Sequence, residues 1–178
     1  SACVEALARR FGSRIELVSA ALGPRAGEAE LMVASYHTLS SLSSEWVAAV
    51  QASGRFQEFS WEEREVVPMT TLDELIERFG TPAFCKIDVE GFEFEVLQGL
   101  SQPIPAVCFE FTLERIESRL EAVDHLAHLG VSRFNYSPGE SMHLALRDWL
   151  SRDEIRGYLT SIASTDTFGD VYACCPPR

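Results

Sequence analysis

Phe84-Cys85-Lys86-Ile87-Asp88-Val89-Glu90-Gly91-Phe92-Glu93-Phe94-Glu95-Val96-Leu97-Gln98-Gly99 is the stretch on which the fold turns. Ala83 to Asp88 reads as a buried-type strand: it has strand length and is apolar apart from Lys86 and the closing acid. Gly91 breaks the chain. Phe92, Val96 and Leu97 then mark a short helix, with Glu93 and Glu95 in its early turns, where carboxylates suit the positive end of the helix dipole. The Phe-Glu-Phe-Glu alternation also fits a strand, but the preceding strand and Gly91 favour the helix.

Working outward, the best-signed helix lies just upstream. Thr71 and Glu74 form a capping-box pair, Leu72, Leu75, Ile76 and Phe79 make one apolar stripe, and Gly80 with Pro82 stops it. Before it, Glu65 to Met69 reads as a strand, with Pro68 placing it at an edge or ending it. Downstream, Ala106 to Phe111 is an apolar strand, followed by a helix with Ile116, Leu120, Val123 and Ala127 on one face and Gly130 at its end. Ser132 to Tyr136 suggests a further strand. Leu150, Ser151, Glu154 and Ile155 combine a capping box with a hydrophobic staple, and Asp170 to Cys174 closes as a strand.

The N-terminal third is less regular. Val4, Leu7, Ala8 and Phe11 repeat as a helix face ending at Gly12; Ile15 to Leu22 alternates like a strand; Glu28 to Val33 is extended. Residues 35–60 are Ser-rich, with Trp46, Val47 and Val50 marking a short helix. This segment is either an acceptor lid or a plain surface loop.

Strands alternating with helices predict an α/β fold with a mainly parallel sheet flanked by helices. Ligands of such sheets sit beyond the carboxyl ends of the strands. One strand there delivers Asp88 and then Glu90, and another delivers Glu110; if the two strands are neighbours, three carboxylates gather at one rim. Lys86 is costly in an apolar strand unless paired, so it is expected to meet a carboxylate. For each of these residues a structural ion pair or cap is the alternative to a catalytic role.

Composition narrows the classes. The 178 residues carry 15 basic and 27 acidic side chains, net −12, which disfavours nucleic-acid and anionic-membrane partners. No apolar run is long enough to cross a bilayer, and the N-terminus has no basic stretch followed by an apolar one. Of five cysteines, Cys85 and Cys108 lie in apolar stretches and read as buried thiols, and the odd count without a Cys-x-x-Cys pair suits a reducing, cytoplasmic compartment. Asp88-Val89-Glu90-Gly91 lacks calcium-loop spacing, and His125 and His128 read as a solvated helix face, so no metal ligand set is expected. A carboxylate-lined metal module of Asp88, Glu90 and Glu110 is the weakest alternative. No nucleophile elbow or Gly-rich phosphate loop supports a hydrolase or nucleoside triphosphatase.

Val67-Pro-Met-Thr-Thr-Leu-Asp-Glu-Leu75, followed by the stretch quoted at the outset, resembles the signature of the FkbM-type methyltransferases, "TLD" then "lKiDvEGaE.evL.Ga". Ala20-Ala21-Leu22-Gly23, Gly27-Glu28-Ala29, Ser40-Ser41-Leu42, Phe109-Glu110 and Phe168-Gly169-Asp170-Val171-Tyr172 are similar to further parts of that pattern. The resemblance implies one Rossmann-like domain over residues 1–178 and S-adenosylmethionine as methyl donor. The implied acceptor is a sugar or other small-molecule hydroxyl. It puts Ala20, Ala21 and Leu22 near the adenine, and Asp88 and Glu90 at the methyl-transfer region, as general base or as orienting groups for the sulfonium. It also implies that the family's opening βαβ unit, with its Gly-rich turn, is missing from an N-terminally truncated sheet. A non-catalytic remnant that binds or dimerises, a homo-oligomer covering its sheet edges, is the alternative to an enzyme.

Overall fold

A computed structural model describes residues 2–162 and 168–176. Its helices are α1 (Ala2–Phe11), α2 (Ser44–Ser53), α3 (Leu72–Phe79), α4 (Glu93–Gln98), α5 (Ile116–His128) and α6 (Arg152–Ile162). Its strands are β1 (Ala21–Leu22), β2 (Gly27–Val33), β3 (Glu63–Thr70), β4 (Cys85–Ile87), β5 (Ala106–Thr112), β6 (Arg133–Pro138) and β7 (Phe168–Cys174). They form two sheets, ordered β1-β3-β2 and β4-β5-β7-β6.

The expected mainly parallel sheet gives way to two mixed ones. β2 folds back antiparallel along β3, and only β1 lies parallel to it. In the larger sheet β4 and β5 are parallel, while β7 runs antiparallel to both β5 and β6. β4, β5 and β6 therefore share one direction, as their helical connections α4 and α5 require, and β7 alone opposes them by wedging between β5 and β6. The carboxyl ends of β4, β5 and β6 meet the start of β7 at one rim.

Local signals explain most of the elements. Thr71 caps α3, its hydroxyl accepting from the Glu74 amide at 3.1 Å, as the capping box predicts. Ser43 caps α2 in the same way from the Trp46 amide at 3.1 Å. At α6, Glu154 reaches back to accept from the Ser151 amide at 2.8 Å and its hydroxyl at 2.6 Å.

Several sequence expectations are corrected. The strand over Ile15 to Leu22 shrinks to Ala21–Leu22: a 3-10 turn occupies Gly12–Arg14, and β3 offers a parallel partner only at Met69 and Thr70. Ile15 and Val18 are left exposed. Pro68 lies inside the middle strand of its sheet, but β1 covers that flank only from Met69 onward, so the residue without an N–H stands where the flank is open. β4 is an edge strand with Lys86 exposed, not a buried central one. Phe79 of α3 is exposed, and the apolar stripe of α1 is largely so.

The buried face of α5 is rotated from the expected one. Arg119, Ala122, Val123 and Leu126 face the core, while Ile116, Leu120 and Ala127 lie at its margin. The buried pairing of Arg119 described below fixes that rotation.

Two apolar clusters hold the fold. The main one joins Phe109, Phe111, Phe134 and Val171 from one face of the larger sheet with Val96, Leu97, Ile104, Val123, Leu126, Ile155 and Leu159 from the helices and loop packed on it. Each such side chain contributes roughly 1.5–3 kcal/mol on burial. A smaller cluster under the 34–61 segment packs Met32, Ala34, Leu39, Trp46, Val47, Val50 and Trp61, with the Trp46 and Trp61 rings edge to face at 6.2 Å.

Candidate functional site

β4 and β5 pair with Ile87 opposite Phe109, which brings Asp88 beside Glu110 at the rim. Glu90, in the turn that follows, completes a triad: one carboxylate oxygen from each of Asp88, Glu90 and Glu110 lies within 4.8 Å of the others. The three expected site acids are thus assembled. Such a set of oxygens accepts a hard cation or an organic one. Lys86 pairs with Asp170 of β7 and lies 3.6 Å from Asp88.

The turn carrying Glu90 is held in an uncommon conformation. Glu90 has φ +49° and Gly91 φ +94°, both left-handed. A Cβ on Gly91 would stand 2.2 Å from Cγ of Trp46, so only glycine admits this approach. The Ser41 hydroxyl donates to the Glu90 carbonyl at 2.6 Å.

From the other side Glu93, fully buried, accepts from the Gly91 amide at 3.1 Å and the Val89 amide at 3.4 Å. Its second oxygen meets Arg119 Nη2 at 2.7 Å, and both side chains are fully buried. Arg119 also donates to the Thr112 hydroxyl at 3.4 Å, tying the turn to the end of β5.

This crowding of carboxylates shifts their titration. Burial, then the charges of Asp88 and Glu93, push the Glu90 carboxyl up to about 7, against the pull of Arg55 and Arg119. Burial, then Glu90, Glu93 and Asp88, push Glu110 up to about 8, with Arg119 opposing. The buried Oε2 of Glu110 has no hydrogen-bond partner among the described residues. Lys86 is held above its ordinary value: burial works against its charge, but the hydrogen bond and charge of Asp170 and the charge of Asp88 outweigh it.

Ala20, Ala21 and Leu22 lie at β1, in the smaller sheet. Ala21 and Leu22 form β1 against Met69 and Thr70, and Leu22 packs on the main core. His125 and His128 do not share a ligand: Nε2 of His125 contacts the Leu100 carbonyl at 3.1 Å and is half-buried, while His128 is exposed. The five cysteines are all free thiols.

Sequence reading missed Glu93 as anything but an early-helix acid, saw Asp170 only as part of the closing strand, and missed Arg119 and Arg55 altogether. Arg119 was detectable: it precedes Ala122, Val123 and Leu126 by three, four and seven residues, the spacing of one helix face.

An α/β domain with an acidic rim beyond its strand ends has the architecture of a small-molecule-binding enzyme. The family model described as Methyltransferase FkbM domain matches residues 4–159, and the chain belongs to that family. No curated protein matches it. No solved structure matches it. No helix of the described residues is long and apolar enough to cross a membrane.

Proposed function

We propose that the chain is an S-adenosylmethionine-dependent methyltransferase acting on the hydroxyl of a small molecule, a sugar or another alcohol. The observation that carries this reading is the Asp88–Glu90–Glu110 cluster at the carboxyl rim of β4 and β5. The donor set fits the cofactor: a pocket of carboxylates, with the Oε2 of Glu110 lacking a hydrogen-bond partner, suits a molecule bearing a sulfonium and an ammonium.

When bound, S-adenosylmethionine supplies a methyl group on positively charged sulfur, open to attack by an oxygen. The chain's own residues do the rest. Asp88 and Glu90 would hold its cationic end, and by resemblance Ala20, Ala21 and Leu22 would line its adenine side. Glu110, titrating at about 8, takes the proton from the attacking hydroxyl in its ionised form, a general base tuned toward neutral pH. Lys86 holds Asp88 and Asp170 as ion-pair partners, which keeps the rim from carrying a further unpaired charge. Holding the acceptor hydroxyl in position would supply a large part of the acceleration. This reading carries a small-molecule partner, no nucleic acid, and a cytoplasmic setting.

Calorimetric titration with S-adenosylhomocysteine tests it. The expected result is a dissociation constant in the micromolar range, about −8 kcal/mol. Asp88→Ala should weaken it tenfold or more, about 1.4 kcal/mol. No heat from a folded parent chain counts against the reading.

A further inference from the structure

Beside the carboxylate rim lies an open cavity of about 640 Å³, walled by Ala49 and Ser53 of α2, Arg55, the 3-10 turn residues Leu113 and Glu114, and Phe168 at the start of β7. This volume falls in the range of small-ligand sites. We propose that this cavity is the acceptor pocket, and that it takes an uncharged hydroxylated ring lying against the face of Phe168. The proposal rests on the methyltransferase reading and adds where, and in what chemical form, the hydroxyl arrives.

Position supports it first. Phe168 also lines the small hollow formed by Lys86, Asp88, Glu110 and Asp170, so the two spaces share a wall. β5 runs from Glu110 through Thr112 directly into Leu113 and Glu114, and Phe168 sits opposite Thr112 in the sheet register. Arg55 on the cavity wall is close enough for its charge to pull down the titration of Glu90. The cavity therefore adjoins the carboxylate rim.

The chemistry of the wall selects the ligand. The one cation among its described lining residues is already matched: Arg55 Nη1 meets both carboxylate oxygens of Glu114, at 3.3 and 3.4 Å. The guanidinium stands over the rings of Phe56 and Phe168, at 4.9 and 5.4 Å from their centroids. The carbonyl end of α2, closed by Gly54, adds partial negative charge to the wall. With the carboxylate rim adjoining, an anionic ligand is repelled, and the methionine carboxylate of the cofactor is poorly placed here. A cation would have to compete with Arg55 for Glu114. What remains is a neutral molecule. Phe168, 39% exposed, offers the part of its ring that Arg55 leaves uncovered to the apolar face of a ligand ring. The Glu114 carboxylate and the other N–H groups of Arg55 offer partners to its oxygens.

The test is saturation-transfer NMR with methyl β-D-glucopyranoside and, as its anionic counterpart, methyl β-D-glucuronide. Calorimetry with S-adenosylhomocysteine runs in parallel. Expected are transfer to the neutral pyranoside and at least fivefold less to the glucuronide. That transfer should be lost in Ala49→Trp, which fills the cavity, and in Phe168→Ala, while homocysteine-ligand binding is retained. Two variants on separate elements, each checked for a parental melting profile, guard against simple misfolding. Equal transfer to both probes, no transfer to either, or transfer that survives both variants overturns the proposal. So does loss of S-adenosylhomocysteine binding alone in Ala49→Trp, which would make this the cofactor's own pocket. Pyranoside binding with no S-adenosylhomocysteine binding by the parent overturns the methyltransferase reading and leaves the ring site standing.

Discussion

Replacing Arg119 by methionine is the most informative single change, because it strips the partner from a carboxylate that reaches the candidate site. Glu93 and Arg119 are both fully buried, 2.7 Å apart. Removing one member of such a pair leaves an uncompensated buried charge, at a cost of about 3–5 kcal/mol. With a urea dependence of about 2 kcal/mol per molar for a domain of this size, the unfolding midpoint should fall by roughly 2 M. The double variant Glu93→Gln/Arg119→Met should behave differently. Glutamine keeps an oxygen for the Gly91 amide, and methionine fills the stem of Arg119 while removing its Nε and Nη1, which have no hydrogen-bond partner among the described residues. Its midpoint should lie within about 0.5 M of the parent, since neutral replacements of buried pairs often cost little. The assay is urea denaturation followed by circular dichroism, with all four proteins in one double-mutant cycle. Single variants within about 0.5 M of the parent, or a double variant that loses the sum of both, would refute the reasoning.

Further outcomes follow from the same geometry. Gly91→Ala combines left-handed strain with a collision against Trp46 and should cost about 2–5 kcal/mol, read as a lowered melting temperature. Thr71→Ala removes the cap of α3 and should cost about 1 kcal/mol in chemical denaturation, with cofactor-analogue binding unaffected. Glu90 and Glu110 bind protons more tightly folded than unfolded, since their folded values of about 7 and about 8 exceed the ordinary 4.5. Their contribution to stability is therefore fully present below about pH 4.5 and is lost as pH rises toward 8. Glu110→Gln should flatten the fall of melting temperature over that window; an unchanged slope would mean Glu110 is not protonated in the folded chain.

Much of this architecture was legible because it is written in local chemistry. Capping boxes at Thr71–Glu74 and Ser151–Glu154 located two helices, and apolar runs located β5 and β7. Asp88 and Glu110 could be brought together on paper because a strand–helix–strand unit makes its strands parallel. What stayed hidden depends on long-range pairing. Nothing near Phe168 says that β7 will enter the sheet between β5 and β6, yet that insertion makes the sheet mixed and delivers Asp170 to Lys86. Ile15 to Ser19 alternate as a strand should, but alternation does not supply a neighbour. Arg119 was passed over because an arginine on a helix is read as solvent-facing; only the buried Glu93 on another helix makes its inward position tolerable.

The turn that carries Glu90 is gripped from two sides by parts of the molecule that need not open together. Glu93 and Arg119 belong to the main core, whereas Trp46 against Gly91 and Ser41 on the Glu90 carbonyl belong to the smaller cluster under the 34–61 segment. Small clusters open more readily than the cores they adjoin. The carboxylate arrangement is then only as durable as the weaker of its two supports. Amide hydrogen exchange should find the α2 region and the Glu90 turn losing protection as one subglobal unit, ahead of β5 and α5. A ligand that needs Glu90 in place would slow that opening, so protection factors in a segment remote in sequence become a gauge of occupancy at the rim.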